Sequence, residues 1–260
     1  MAEQRDRVAD LRAADRRIEE HPAYRQHLEL DALERSLAGV FVPNFHDMVR
    51  LLDAAATNED LAFELIQNVR PPTVRDRFHA DVTRKLHNYL AGAHSLRDHV
   101  RRMMRGQAGP IADEFEMRKK NLLRNPEIPL MQDLRNYSLH RTLPFLGHRL
   151  SMKKVNSKER MESEVNLSVA HLLEWSGWTT PSRAYLDGKD VVPLRPLVKK
   201  HGELVFGINR WVYTELAKAN DDALDELNEL IVDRNAVLTD GDREAAERAS
   251  RYGGFGPPTV

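Results

Sequence analysis

The chain has 260 residues, enough to bury one large core or two small ones, and it contains no cysteine. The missing thiols exclude a disulfide framework, a thiolate nucleophile and a zinc ribbon, and they fit a reducing compartment. Its 39 basic and 40 acidic side chains nearly cancel, so any contact with nucleic acid must come from a local basic patch and not from a global field.

The sequence is charged from its start, with no signal-peptide core, and no run of about 18 apolar residues occurs, the length a membrane span needs. The expectation is a cytoplasmic protein without membrane contact. Residues 3–20 are dense in Arg, Asp, Glu and Ala, with sparse apolar positions Val8, Leu11 and Ile18. That pattern suits an exposed helix acting as an arm or a partner-binding element. Asn44 is expected to N-cap a helix carrying Met48, Val49, Leu51 and Leu52. Asn58 is expected to cap another with Leu61, Phe63, Leu65 and Ile66, which Pro71-Pro72 ends.

From Thr73 to about Arg105, Leu86, Tyr89, Leu90, Ala93, Leu96, Val100 and Met103 recur at three- and four-residue spacing, which predicts one long amphipathic helix. Gly106 to Pro110 reads as a turn. A second helix follows with Ile111, Phe115, Leu122 and Leu123, stopping near Asn125-Pro126. A third starts at Pro129 and carries Leu130, Leu134 and Tyr137 until Pro144 ends it. Three helices with short connections predict an up-and-down bundle.

Phe145 to Val155 and Met161 to Val169 alternate apolar with polar residues around Asn156-Ser157-Lys158, the pattern of a β-hairpin that must pack on the helices to be stable. Residues 170–176 read as a short helix, 181–192 as a loop with a turn at Asp187-Gly188, and 194–234 as one or two helices with Leu204, Ile208, Trp211, Val212 and Leu216. The Gly- and Pro-rich residues 253–260 read as an unstructured end. The expected fold is mainly α, an up-and-down helical bundle with a small β-hairpin insertion, in one domain over 1–260. Its parts are N-terminal helices in 1–70, a bundle core in 72–144, the hairpin in 145–169, C-terminal helices closing the bundle in 194–234, and a flexible tail in 252–260.

Of the 11 histidines, His87 and His94 share a face of the long helix. Two turns separate them by roughly 10 Å, too far for one metal ion. No HExxH spacing, nucleophile elbow or phosphate-cradling glycine loop occurs, so neither a metal nor a cofactor is expected. Glu114 and Glu116 read as a solvated helix face. The segment Arg135-Asn136-Tyr137-Ser138-Leu139-His140 stands apart because it combines the groups needed to cleave RNA without a metal. A neutral His140 can take the proton of a ribose 2′-hydroxyl, and Arg135, with its charged planar fork of donors, can hold the charge that builds on the phosphate. Asn136 can orient either group or the scissile phosphate.

Those residues resemble the Arg-polar-x-x-x-His signature of the HEPN superfamily, helical ribonucleases of toxin–antitoxin, abortive-infection and CRISPR systems, with a match at all three positions. Leu86-His87-Asn88-Tyr89-Leu90 through Arg97 is similar to the long helix that precedes the motif in HEPN-like bacterial proteins, so the resemblance covers roughly 72–144. It implies a homodimer whose two motifs face each other across a cleft and cut RNA to a 2′,3′-cyclic phosphate and a 5′-hydroxyl. It implies as well an antitoxin or regulatory protein as partner, and a defence setting. The residues it carries over are Arg135, Asn136 and His140.

Five residues of ideal helix turn through about 140°, so Arg135 and His140 do not share a stripe, and a long arginine reach, a loosened helix end or a second subunit has to reconcile them. In a purely structural alternative, Arg135 pairs with Asp133 or Glu127 while His140 caps its own helix C-terminus. A third possibility keeps the HEPN-like bundle as a catalytically inactive RNA- or protein-binding module. Arg97, Arg101, Arg102 and Arg105 with Arg118, Lys119, Lys120 and Arg124 form either an RNA track across the turn between two antiparallel helices or a solvated face. Tyr137 either stacks on a base or belongs to the core.

Overall fold

Helices dominate the computed structural model, which describes residues 2–65, 73–155, 158–239 and 241–251. Two long helices form the spine of the protein. Helix α5 (Val74–Met104) starts on a capping box, in which the Thr73 hydroxyl accepts from the Asp76 amide at 3.1 Å and the Asp76 carboxylate accepts from the Thr73 amide at 2.9 Å. The Thr73 amide and the Thr73 hydroxyl, both donating to it, hold the Asp76 carboxyl below the ordinary carboxylate range. All seven apolar residues of its predicted stripe are buried. Helix α10 (Leu194–Lys218) buries Leu194, Leu197, Val198, Val205, Val212 and Leu216. It touches nearly every other element of the main core, so it lies within the bundle and does not merely close it.

Around this spine run α2 (Tyr24–Glu34) and α3 (Val42–Thr57), which are one unbroken helix joined by the π-helical turn Arg35–Phe41. Asn44 is therefore not an N-cap, because the backbone before it is already helical. The physical reason lies in Pro43, whose missing amide interrupts the α-helical ladder and favours a wider turn, while the Asn44 side chain donates to the Val40 carbonyl at 2.8 Å. Asn58 does act as an N-cap, accepting from the Leu61 amide at 3.1 Å at the start of α4 (Glu59–Glu64). Ile66 and Pro71-Pro72 lie outside the described residues.

Gly202 allows α3 to approach α10 closely: a Cβ there would sit 2.2 Å from the Phe45 ring. Phe45, Phe41 and Tyr89 form an aromatic cluster at 5.7–6.3 Å between ring centres, and the Tyr89 hydroxyl meets His201 Nδ1 at 2.6 Å. Burial pushes the Tyr89 phenol well above its usual range and the His201 imidazole down to about 3, so both sit neutral in the core.

The expected hairpin is present as β1 (Leu146–Val155) and β2 (Lys158–Ser168), antiparallel with Val155 opposite Lys158, and residues 156 and 157 between them lie outside the described set. It is covered as a marginal hairpin must be: β2 lies against α3, α4 and α10 and buries Val165 and Leu167. A third strand, β3 (Val191–Pro193), pairs with β2. The segment expected to be a loop over 181–192 instead contains α9 (Thr180–Leu186) before its turn, where Gly188 takes a φ of 69°. Only Leu186 and Ser182 of that helix are buried, too few to show a helical period in the sequence.

A separate three-helix layer holds α1 (Ala2–Glu19), α11 (Asp221–Leu238) and α12 (Arg243–Arg251). Helix α1 is thus not a projecting arm: Asp15 accepts from Arg234 at 3.0 Å, and Arg7 donates to the Leu238 carbonyl at 2.8 Å. Leu11 and Ile18 of α1 are half-buried as well. The molecule is a mainly α bundle with a small β insertion, and no helix among the described residues is long and apolar enough to cross a membrane. The tail over 252–260 lies outside the described residues.

Candidate functional site

Two helices connect the spine to the motif: α6 (Pro110–Leu123), which leans on α10, and α7 (Glu127–His140), which carries all three motif residues and packs on both α5 and α10. Pro129 falls in the first turn of α7, where a missing amide costs nothing. Leu130, Asp133, Leu134 and Tyr137 recur at helical spacing and are buried, and this stripe sets the rotation of α7. Tyr137 is core: it meets Trp175 edge-on and stacks with Trp178, both at 5.7 Å. Asp133 is also structural, its carboxylate accepting from the Thr179 amide at 2.9 Å and the Thr179 hydroxyl at 2.6 Å at the start of α9.

With the stripe fixed, the motif side chains fall on either side of it. Arg135 is half-buried, and its Nη1 donates to Asn136 Oδ1 at 3.3 Å. It forms no ion pair with Asp133 or Glu127, nor with any other carboxylate among the described residues, because Asp133 is committed to Thr179. Asn136 and His140 are four residues apart and so share a face of α7. His140 is exposed in the last turn, where a cation suits the helix dipole, and no hydrogen bond joins it to Arg135 or Asn136 among the described residues. Arg135 and Asn136 are brought together, and His140 stands apart from the guanidinium, as the helix period requires.

On its Arg135 side, α7 faces two adjoining hollows of about 70 and 250 Å³ between α5, α6, α7 and α10. Arg135, His94 and Arg97 line the smaller, while Arg97, Arg101 and Lys119 line the larger. Arg97 reaches His94 Nε2 at 3.1 Å and Asp98 at 3.3 Å, and His94 Nδ1 lies 3.2 Å from the same carboxylate. Burial, with the charges of Arg97 and Arg135, holds the His94 pKa below its ordinary value. Asp98 is thus shared among cations that outnumber it. The rest of the expected track is dispersed. Arg118 lies 4.6 Å over the Trp211 ring and 2.7 Å from Glu114, and Lys119 also pairs with Glu116 at 2.6 Å. Arg102, Arg105, Lys120 and Arg124 are exposed and line neither hollow. Those ion pairs make Glu114 and Glu116 part of a solvated face.

The opposite side of α7 opens on a cavity of about 360 Å³ lined by His79, Thr83, Tyr137, Arg141, His171 and Glu174 among others. Arg141 and Glu174 approach at 3.7 Å, and His171 Nδ1 meets the Ser168 hydroxyl at 2.9 Å while its ring stacks on Phe145. His79 stacks face to face on His148 at 4.5 Å, and burial depresses both imidazoles, His148 to about 4. His79 and His171 escape sequence reasoning, and His94 was weighed there only as a partner of His87, because each reaches its hollow through tertiary packing, from a helix whose period says nothing about its neighbour. Gln132 and Asn209 also line the larger hollow. Asn209 left one trace in the sequence, a polar residue at a core position between Val205 and Val212 of α10.

Among the described residues no three His, Asp or Glu side chains gather as a metal site. Searches for similar proteins return no matching family model, no matching curated protein and no matching solved structure.

Proposed function

We propose that this chain is a HEPN-like, metal-independent endoribonuclease that works as a homodimer, with His140 as general acid/base, Arg135 as phosphate stabiliser and Asn136 as orienter. The observation that carries the reading is Arg135. It is half-buried and lines a hollow with Arg97, and among the described residues its partner is an amide oxygen and not a carboxylate, so its positive charge is left for an anion to neutralise. In the proposed reaction, His140 takes the proton of the 2′-hydroxyl as its oxygen attacks phosphorus. The bond to the 5′-oxygen breaks, and that oxygen takes a proton from imidazolium or solvent, giving a 2′,3′-cyclic phosphate and a 5′-hydroxyl. Arg135 balances the charge gathering on the non-bridging oxygens. A second copy enters the reading because Leu139, Leu143 and Phe145, near His140 in the chain, are all exposed. Covering them with the same surface of another chain would bring the C-terminal ends of two α7 helices together. The family resemblance extends the proposal to a cytoplasmic toxin or defence role with an antitoxin or regulatory protein as partner.

A second reading is a catalytically inactive HEPN-like protein that binds RNA or a protein. It is favoured by the divergence of Arg135 and His140 within one chain, where His140 lines none of the three hollows. Incubation of purified protein with total cellular RNA in EDTA separates the two. Cleavage by the wild type to cyclic-phosphate ends, with losses of about 100-fold or more in both His140→Ala and Arg135→Ala, supports the nuclease. Intact RNA with folded wild type, together with a gel shift weakened in Arg135→Ala, supports the binder.

A further inference from the structure

The π-helical turn that joins α2 to α3 begins directly after Glu34, a carboxyl that the fold has taken out of water. Glu34 is 4% exposed, its Oε1 has no hydrogen-bond partner among the described residues, and no ion pair reaches it there. The elements packed against α2 are the π turn, α5, α10 and α11. Among the described residues they supply it no cation. Arg35 of the turn pairs with Asp31, His99 of α5 bonds to the Ser36 hydroxyl at 2.6 Å, and Arg234 of α11 bonds to Asp15 at 3.0 Å. Lys218 of α10 pairs with Glu215 at 3.4 Å, and the group that α10 does offer Glu34 is the Tyr213 hydroxyl, a hydrogen-bond donor without charge. The charge nearest in effect is Asp31, a second carboxylate one turn earlier on the same helix. An ionised carboxylate in such a place has lost its water, meets one donor and is repelled by its neighbour, so the neutral acid is the form that fits.

We infer that Glu34 is a proton switch in the contact between α2 and α10: the folded chain holds it as the neutral acid, and loss of that proton loosens the contact and the π turn that follows. The proton passes to solvent, and the carboxylate left behind recovers its solvation only by reaching water, which requires α2 to give way at that point. Burial first, and the charge of Asp31 second, raise the Glu34 pKa from 4.5 to about 7, against the Tyr213 bond, which lowers it. Because the folded value lies above the unfolded one, the folded chain holds the extra proton between them. The stabilisation is therefore fully present below pH 4.5 and is lost as the pH rises to about 7, in the direction opposite to that of His201.

The test compares the full chain with its Glu34→Gln variant, which keeps the shape of the neutral acid and cannot ionise, so that every other titrating group cancels. In infrared difference spectra, wild type is expected to show the carbonyl band of one protonated carboxyl that disappears with a midpoint near pH 7 and is missing from the variant. In urea titrations, the folding equilibrium constant of wild type relative to the variant should fall on the order of 100-fold between pH 4.5 and pH 8.5. Hydrogen exchange of the amides of residues 30–41, corrected for the intrinsic pH dependence, should quicken by about tenfold from pH 6 to pH 8 in wild type and stay level in the variant. A band that titrates near pH 4.5, or no band at all, shows an ionised Glu34 and overturns the proposal. A band with the expected midpoint but equal exchange in both proteins overturns the switch, since the carboxyl then ionises without moving α2. If Glu34→Gln fails to fold, Tyr213→Phe decides: removal of the donated bond should shift the midpoint of the band upward, and an unmoved midpoint overturns the assignment to Glu34.

Discussion

The two sides of α7 follow different rules although their residues interleave in the sequence. Leu130, Asp133, Leu134 and Tyr137 are buried and fully engaged, by apolar contact, by the start of α9 and by two tryptophans. Arg135 and Asn136 are half-buried and His140 is exposed, and among the described residues the hydrogen bond between them is the 3.3 Å bond from Arg135 to Asn136. The histidines repeat the contrast: His201 is sealed in the core against Tyr89, while His140 is open to solvent. Buried polar groups that hold a fold mostly find partners within it, whereas the motif residues, on the proposed reading, are kept for a ligand.

If that division is real, stability and activity should separate along it. The largest expected effect is acid sensitivity from His201. Its folded pKa of about 3 lies below the ordinary value of about 6.5, so the unfolded chain binds the extra proton in between. Stability from this group is fully present above pH 6.5 and falls as the pH drops towards 3. By pH 3.5 wild type should lose on the order of 4 kcal/mol more than a folded His201→Gln variant does, as read from urea midpoints. Next, Leu134→Ala, inside the motif but facing the core, should cost about 3 kcal/mol of unfolding free energy through lost transfer energy and a cavity. An unchanged urea midpoint in that variant would break the division. Smallest in stability are Arg135→Ala and His140→Ala, each expected within about 1 kcal/mol of wild type by the same measurement. A large stability loss in either would make it a structural residue and remove the basis for the ribonuclease proposal.

Strong local patterns were legible in the sequence. The stripe from Leu86 to Met103 appears as α5, the alternation around 145–169 as β1 and β2, and Asn58 as a true cap. Where local signals were weak or contradictory, reading failed. Asn44 has the chemistry of a cap, but Pro43 and the helix entering from Phe41 override it. Helix α9 buries too little to show a period, and β3 is three residues long. Helix α1 read as an exposed arm because its apolar positions Val8, Leu11 and Ile18 are sparse among charged residues, one of which, Asp15, meets Arg234 of α11.

For the candidate site, the amino-acid sequence by itself determined the spacing of Arg135, Asn136 and His140, their place near the end of one helix, and hence the angle that separates Arg135 from His140. Only the tertiary structure decided what each of them faces. The rotation of α7 is set by a buried stripe whose partners lie on α5, α9 and α10 and on Trp175 and Trp178, which follow α8 (Val169–Leu173), so the company of Arg135 with His94 and Arg97 depends on packing between segments far apart in the chain. Helical periodicity fixes which residues share a face; which neighbour that face meets is decided by burial summed over the whole core.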